Sequence, residues 1–282
     1  MSFLKRALIV IIALTFVGCS VITLSYNRLP IVAAYQLDSI FDLTDQQSSL
    51  ARKELDNWLS WHRTTHLPQY ATKLKSYEKL IIQDLNPQQF CKEVDVIRIF
   101  VDEAVVQFLP ALVPIAKTLT PKQIENWNKY QLKNDEEFMI NFGLGRKGEI
   151  INERRLEKAI DRAEMFYGTL SVEQKEWIAK RLEKSAFKAE LVLPERKRRH
   201  NEAVAAVNLI QKGAQPLQTL KNVWKNNQQS PDPKYANYSE QMLKDGCAQL
   251  SELHNRTTPE QRLKAAQKLQ GYANDFQSLI KP

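Results

Sequence analysis

His62 and His66 stand four residues apart in WHRTTHLPQY, residues 61–70. On a helix that spacing sets two imidazoles on one face, as in the zinc motif H-E-x-x-H. The motif needs a Glu beside its first His as general base, and Arg63 occupies that place. No nearby acidic residue or cysteine completes a ligand set, so no metal is assigned, and His62 is read as packing with Trp58, Trp61 and Tyr70. GLGRKG, residues 143–148, has the form G-x-G-x-x-G. A dinucleotide fingerprint lies between a strand and a helix, whereas the helical pattern EEFMINF precedes this one. It reads as a loop where Gly143 ends a helix, carrying Arg146 and Lys147 as candidate contacts to anionic groups. ERKRRH, residues 195–200, is the densest basic cluster and follows Pro194. It is expected to wrap the first turns of a helix, where cations oppose the helix dipole. Arg196, Lys197, Arg198 and Arg199 are therefore candidate contacts to an anionic surface, beside the simpler reading of a solvated run. There is no G-x-S-x-G, and His62, His66, His200 and His254 lie in no recognised triad context. No catalytic residue and no cofactor is assigned.

The N-terminus sets the expected compartment. MSFLKRALIVIIALTFVGCS places Lys5 and Arg6 before an apolar run that ends at Gly18 and Cys19. This is the layout of a secretory signal peptide, and FVGC resembles a bacterial lipobox. The reading is a signal peptide over 1–18, a lipidated Cys19, and a lipid-anchored segment over 19–42. An uncleaved anchor is the rival, since apolar character continues through Val21, Ile22 and Leu24 and a spanning helix needs about 20 residues. Ser20 after the Cys, by resemblance to lipoprotein sorting, points to the periplasmic face of the outer membrane; the inner membrane is the alternative. The net charge of +8 would then face anionic lipid, an envelope protein or cell-wall polymer, and nucleic acid is not an expected partner. Cys91 and Cys247 remain, as a disulfide of an oxidising compartment or as two buried thiols.

The elements that must position these residues announce their starts. Thr44 and Gln47, Asn86 and Gln89, Thr120 and Gln123, Ser171 and Gln174, and Thr258 and Gln261 each have capping-box spacing. Pro121 suits the first helical position, and Leu119 with Ile124 can close a hydrophobic staple. The five starts are irregularly spaced, so the chain is not a strict solenoid. Apolar residues between them fall at helical spacing. Helices are expected over 44–64, from Pro68, over 87–118 with a kink or break at Pro110 and Pro114, and from 121. Others are expected near 149–167, 172–190, 195–212, 216–228, 236–253 and 259–280. With only 8 Gly and no sustained alternation, no strand is expected. The fold class is all-α, an elongated or bent antiparallel helical array or bundle. It divides into helical subdomains over 43–142 and 149–282, or forms one continuous domain.

Two resemblances follow. The L-[ST]-x-x-Q copies resemble the motif of small periplasmic stress chaperones related to Spy and CpxP, which are helical, non-enzymatic and bind unfolded or envelope partners. GCS at 18–20, YNRL at 26–29, FDLTDQQ at 41–47, WHRTTHLPQY at 61–70 and GTLSVEQKEWI at 168–178 resemble an uncharacterised family of proteobacterial lipoproteins. Its W-H-R-x-x-x-L-P-x-Y piece is the most specific. That resemblance implies a fold and a location and supplies no mechanism. The expected function is a non-catalytic, periplasm-facing outer-membrane lipoprotein with a binding or scaffolding role. A periplasmic chaperone or stress sensor is the alternative. An enzyme acting on envelope glycans or lipids is the third, which two close carboxylates or a His–acid pair in a cleft would support.

Overall fold

The structure, a computed structural model, describes residues 21–144 and 149–280. Eleven helices and no strand occur among them, so the fold is all-α. The first five are α1 (Val21–Phe41), α2 (Asp45–Thr65), α3 (Leu67–Leu80), α4 (Pro87–Thr118) and α5 (Pro121–Phe142). Then come α6 (Glu149–Tyr167), α7 (Val172–Glu183), α8 (Ala189–Gln211), α9 (Pro216–Gln228), α10 (Pro233–His254) and α11 (Pro259–Ile280).

Local chemistry accounts for most boundaries. Thr44, Asn86, Thr120 and Ser171 each accept from the backbone N–H three residues on, and the Gln there reaches back to the cap N–H. Thr258 and Gln261 make the same two bonds, at 3.3 and 2.9 Å. Gly143 closes α5 in the left-handed conformation, φ 66°, which glycine adopts without a Cβ penalty. Three prolines behave differently from expectation. Helix α4 runs unbroken through Pro110 and Pro114. The carbonyls these prolines leave without an N–H partner belong to Val106 and Pro110, both at exposed positions where water can serve them. Helix α8 starts at Ala189, with Pro194 inside it and Glu190, the residue four before, exposed. The basic cluster thus lies in later turns, and the expected conflict with the helix dipole does not arise.

Helix α11 lies along α3 and also touches α1, α2 and α6, while α10 packs on α4 and α8 packs on α4, α5 and α9. Stretches before and after 143–148 therefore interlock. One core gathers Ala116, Leu119, Val207 and Ile210, with Phe41 and Trp127 against it. A second gathers Ala163, Leu170 and Ile178, with Tyr167 and Leu253 against it. Cys91 on α4 and Cys247 on α10 are joined by a disulfide, with their Cα atoms 5.5 Å apart.

Two of the motif pieces that carry the lipoprotein resemblance, YNRL and WHRTTHLPQY, meet in the fold. Tyr26 of YNRL lies 2.8 Å from His62 Nδ1, and Arg63 donates to Asn27 Oδ1 (2.8 Å) and to the Leu279 carbonyl (3.1 Å). The Tyr70 hydroxyl sits between His62 Nε2 (3.3 Å) and His66 Nδ1 (3.1 Å), and His66 Nε2 points at Glu103, 3.7 Å away. One donor order fits the three hydrogen bonds: Tyr26 to His62, His62 to Tyr70 and Tyr70 to His66, which leaves the His66 Nε2–H facing Glu103. It requires neutral imidazoles. Burial, and then the neighbouring His66, push His62 down to about 4. Both rings stack among Trp58, Trp61 and Phe100, so this cluster ties α1, α2, α3, α4 and α11 together.

Candidate functional site

The capping glutamines do more than start helices. Gln47 and Gln123 form a reciprocal amide pair, each Nε2 donating to the other's Oε1 at 3.2 and 2.7 Å. Gln174 and Gln261 do the same at 2.8 and 3.0 Å. All four are buried. Each Nε2 also donates into the turn ahead of its partner's cap: Gln47 to the Thr118 carbonyl, Gln123 to Asp42, Gln174 to Arg256 and Gln261 to Thr169. Asp42 holds a left-handed φ of 58° there. Two helical turns are thus locked face to face in each half of the chain. Gln89 is the exception. Its Oε1 accepts from the Asn86 N–H at 2.8 Å, and no Gln among the described residues partners it.

ERKRRH is neither a solvated run nor a set of free cations. Arg198 and Arg199 converge on Glu195, and Arg198 also holds Glu202 at 2.7 Å. Arg196 pairs with buried Asp135 at 3.1 Å. Burial opposes charge on Glu195, but hydrogen bonds from Arg198, Arg199 and Ser230 prevail and hold its carboxyl at about 2. The three arginines are thus not free cations awaiting an anionic surface: each holds a carboxylate of the fold, and Arg198 also donates to the Asn226 carbonyl near the end of α9. Lys197 alone of the cluster's cations stays exposed, without an ion pair among the described residues. Cys19, Arg146 and Lys147 lie outside the described residues. Among the described residues no group of three or more His, Cys, Asp or Glu is placed to hold a metal ion.

The site that sequence reasoning missed is a cavity of about 590 Å³ between α3, α4, α6, α7, α10 and α11, within the range of small-molecule sites. Phe90, Ile97, Ala163, Phe166 and Leu253 give it apolar walls. Gly246 opens one side: a Cβ placed there would meet nothing within 4 Å. Exposed Ile97 and Leu250 stand at its edge. Glu93 lines it but is already engaged, 2.8 Å from Lys73 Nζ and accepting from the Tyr77 hydroxyl at 2.5 Å. Burial opposes the charge on Glu93, and these two bonds outweigh it, leaving its pKa below the usual carboxylate range. Burial and the bond to Glu93 push the Tyr77 phenol upward. Gln89, Gln249 and Arg162 complete the polar lining. A more open depression of about 710 Å³ lies over the Gln174–Gln261 pair, walled by capping groups that are already bonded. The cavity's one signal in the sequence is Gly246, isolated inside a helical pattern, where a glycine often has a packing or functional reason. The remaining walls look like ordinary core.

Fold and cavity describe an all-helical protein with a partly open, apolar-walled cavity. The chain belongs to a family of unknown function, DUF6279, matched over residues 39–235. Neither the curated proteins nor the solved structures yield a match to it.

Proposed function

We propose that this is a non-catalytic, lipid-anchored binding protein on the periplasmic face of the outer membrane, and that it holds an apolar or amphipathic molecule in the cavity between α3, α4, α6, α7, α10 and α11. The cavity carries this reading: it combines apolar walls, an open side at Gly246 and a carboxylate whose charge is already matched by Lys73, with Tyr77 bonded to the same oxygen. A neutral naphthylamine fluorophore should bind at one site per chain with a saturable rise in emission. A flat titration would remove the reading.

Location is supported by FVGCS at residues 16–20 and by the Cys91–Cys247 disulfide, which suits an oxidising compartment. Acyl chains contribute roughly 0.8 kcal/mol per buried methylene, so a multiply acylated cysteine holds a protein at a bilayer. Cys19→Ala is expected to shift the protein from the membrane pellet to the soluble fraction. Unchanged fractionation, with no lipid label on the wild type, would contradict the anchor. The chaperone reading drew its motive from the L-[ST]-x-x-Q copies. The amides of Gln47, Gln123, Gln174 and Gln261 are consumed inside the fold, so they offer a client nothing.

A further inference from the structure

We infer that the cavity takes a long-chain carboxylate, its hydrocarbon among the apolar walls and its head on Arg162; this rests on the binding reading above. Arg162 lines the cavity from α6, is exposed, and has no ion pair or hydrogen bond among the described residues. That sets it apart from Arg181, Arg196, Arg198, Arg199 and Arg262, each of which holds a carboxylate. Asp161 is its sequence neighbour, and adjacent residues on a helix do not face each other.

The cavity's own carboxylate makes no ion pair with Arg162: Glu93 holds Lys73 and Tyr77 through its Oε2. One positive charge is therefore uncompensated at the cavity. Unspent donors accompany it. Gln89 accepts with its Oε1, but among the described residues its Nε2 has no partner and Gln249 forms no side-chain hydrogen bond. A guanidinium fork matches a planar carboxylate with two parallel hydrogen bonds. A phosphate monoester carries nearly two charges, more than one arginine balances. A cationic head would be repelled, and a neutral alcohol would gain nothing from Arg162.

Isothermal titration of the full mature chain with laurate, dodecanol and dodecyltrimethylammonium tests this. Laurate should bind at least about tenfold more tightly than dodecanol, a margin a charge-assisted hydrogen bond supports, and the cationic amphiphile most weakly. Arg162→Gln, at an exposed position, should abolish the preference for laurate and leave dodecanol unchanged, while Arg162→Lys should restore part of it. Affinity should rise about fourfold per added methylene until the cavity is full. Equal binding of laurate and dodecanol, or a preference that survives Arg162→Gln, overturns the assignment of the head while the cavity reading stands. Absence of binding by all three amphiphiles overturns both.

Discussion

Removing the Cys91–Cys247 bridge is expected to lower the stability of the fold by about 4 kcal/mol. The two cysteines are separated by 156 residues, and the loop-closure relation puts the stabilisation from so long a loop near 5 kcal/mol, an upper figure. Cys247 is 1% exposed, so Cys91→Ala/Cys247→Ala is the cleaner variant: it buries no hydroxyl and leaves no lone thiol. The bridge also clamps two cavity walls, since Cys91 adjoins Phe90 and Cys247 adjoins Gly246. Equilibrium unfolding in urea should show a clear fall in midpoint for the double variant, and for the wild type under reductant. A midpoint that does not move would mean that helix packing alone sets the distance between α4 and α10.

The second large effect falls on the amide pairs. Gln123→Leu strands the Thr120 N–H, the Asp42 carbonyl and one half of the Gln47 amide in a buried place. Each stranded group costs about 1–3 kcal/mol in other proteins, so a total on the order of 3 kcal/mol is expected. Gln89→Leu provides the contrast. It removes one side of a capping box with no second amide behind it, and should cost about 1 kcal/mol. The double variant Gln47→Leu/Gln123→Leu should cost clearly less than the sum of its singles, because both singles break the same pair. Thermal or urea unfolding of these variants decides the matter. Equal losses for Gln123→Leu and Gln89→Leu would show that the pairing adds nothing to the caps.

These two results also separate what the sequence could disclose from what it could not. A capping box is local, so Thr44, Asn86, Thr120, Ser171 and Thr258 could be read as helix starts to the residue. The pairing of Gln47 with Gln123 spans 76 residues, and nothing in either box names its partner. Pro194 misled for a related reason. Proline favours the first helical turn, so α8 was expected to start near it, yet a proline inside a helix loses only one hydrogen bond where the exposed carbonyl meets water. ERKRRH looked free although Glu195 and Glu202 stand at helical pairing distance from Arg198 and Arg199; its other partners come from elsewhere, Asp135 from α5, Asn226 from α9 and Ser230 from the turn after it. The cavity was hidden because Phe90, Ile97 and Leu253 have the spacing of core residues, and an absence of packing leaves no mark in a periodic pattern. Gly246 carried the one legible hint.

The central claim is that this cavity is a binding site, and Gly246→Leu tests it most directly. The added side chain enters space where a Cβ meets no atom within 4 Å. Leucine is also the better helix former by somewhat under 1 kcal/mol, so the variant should fold at least as well as the wild type. Titrated with the same neutral fluorophore, it is predicted to bind at least about tenfold more weakly, the loss expected when an apolar pocket is overfilled by more than 1 kcal/mol. Unchanged affinity in a folded Gly246→Leu protein would contradict the account.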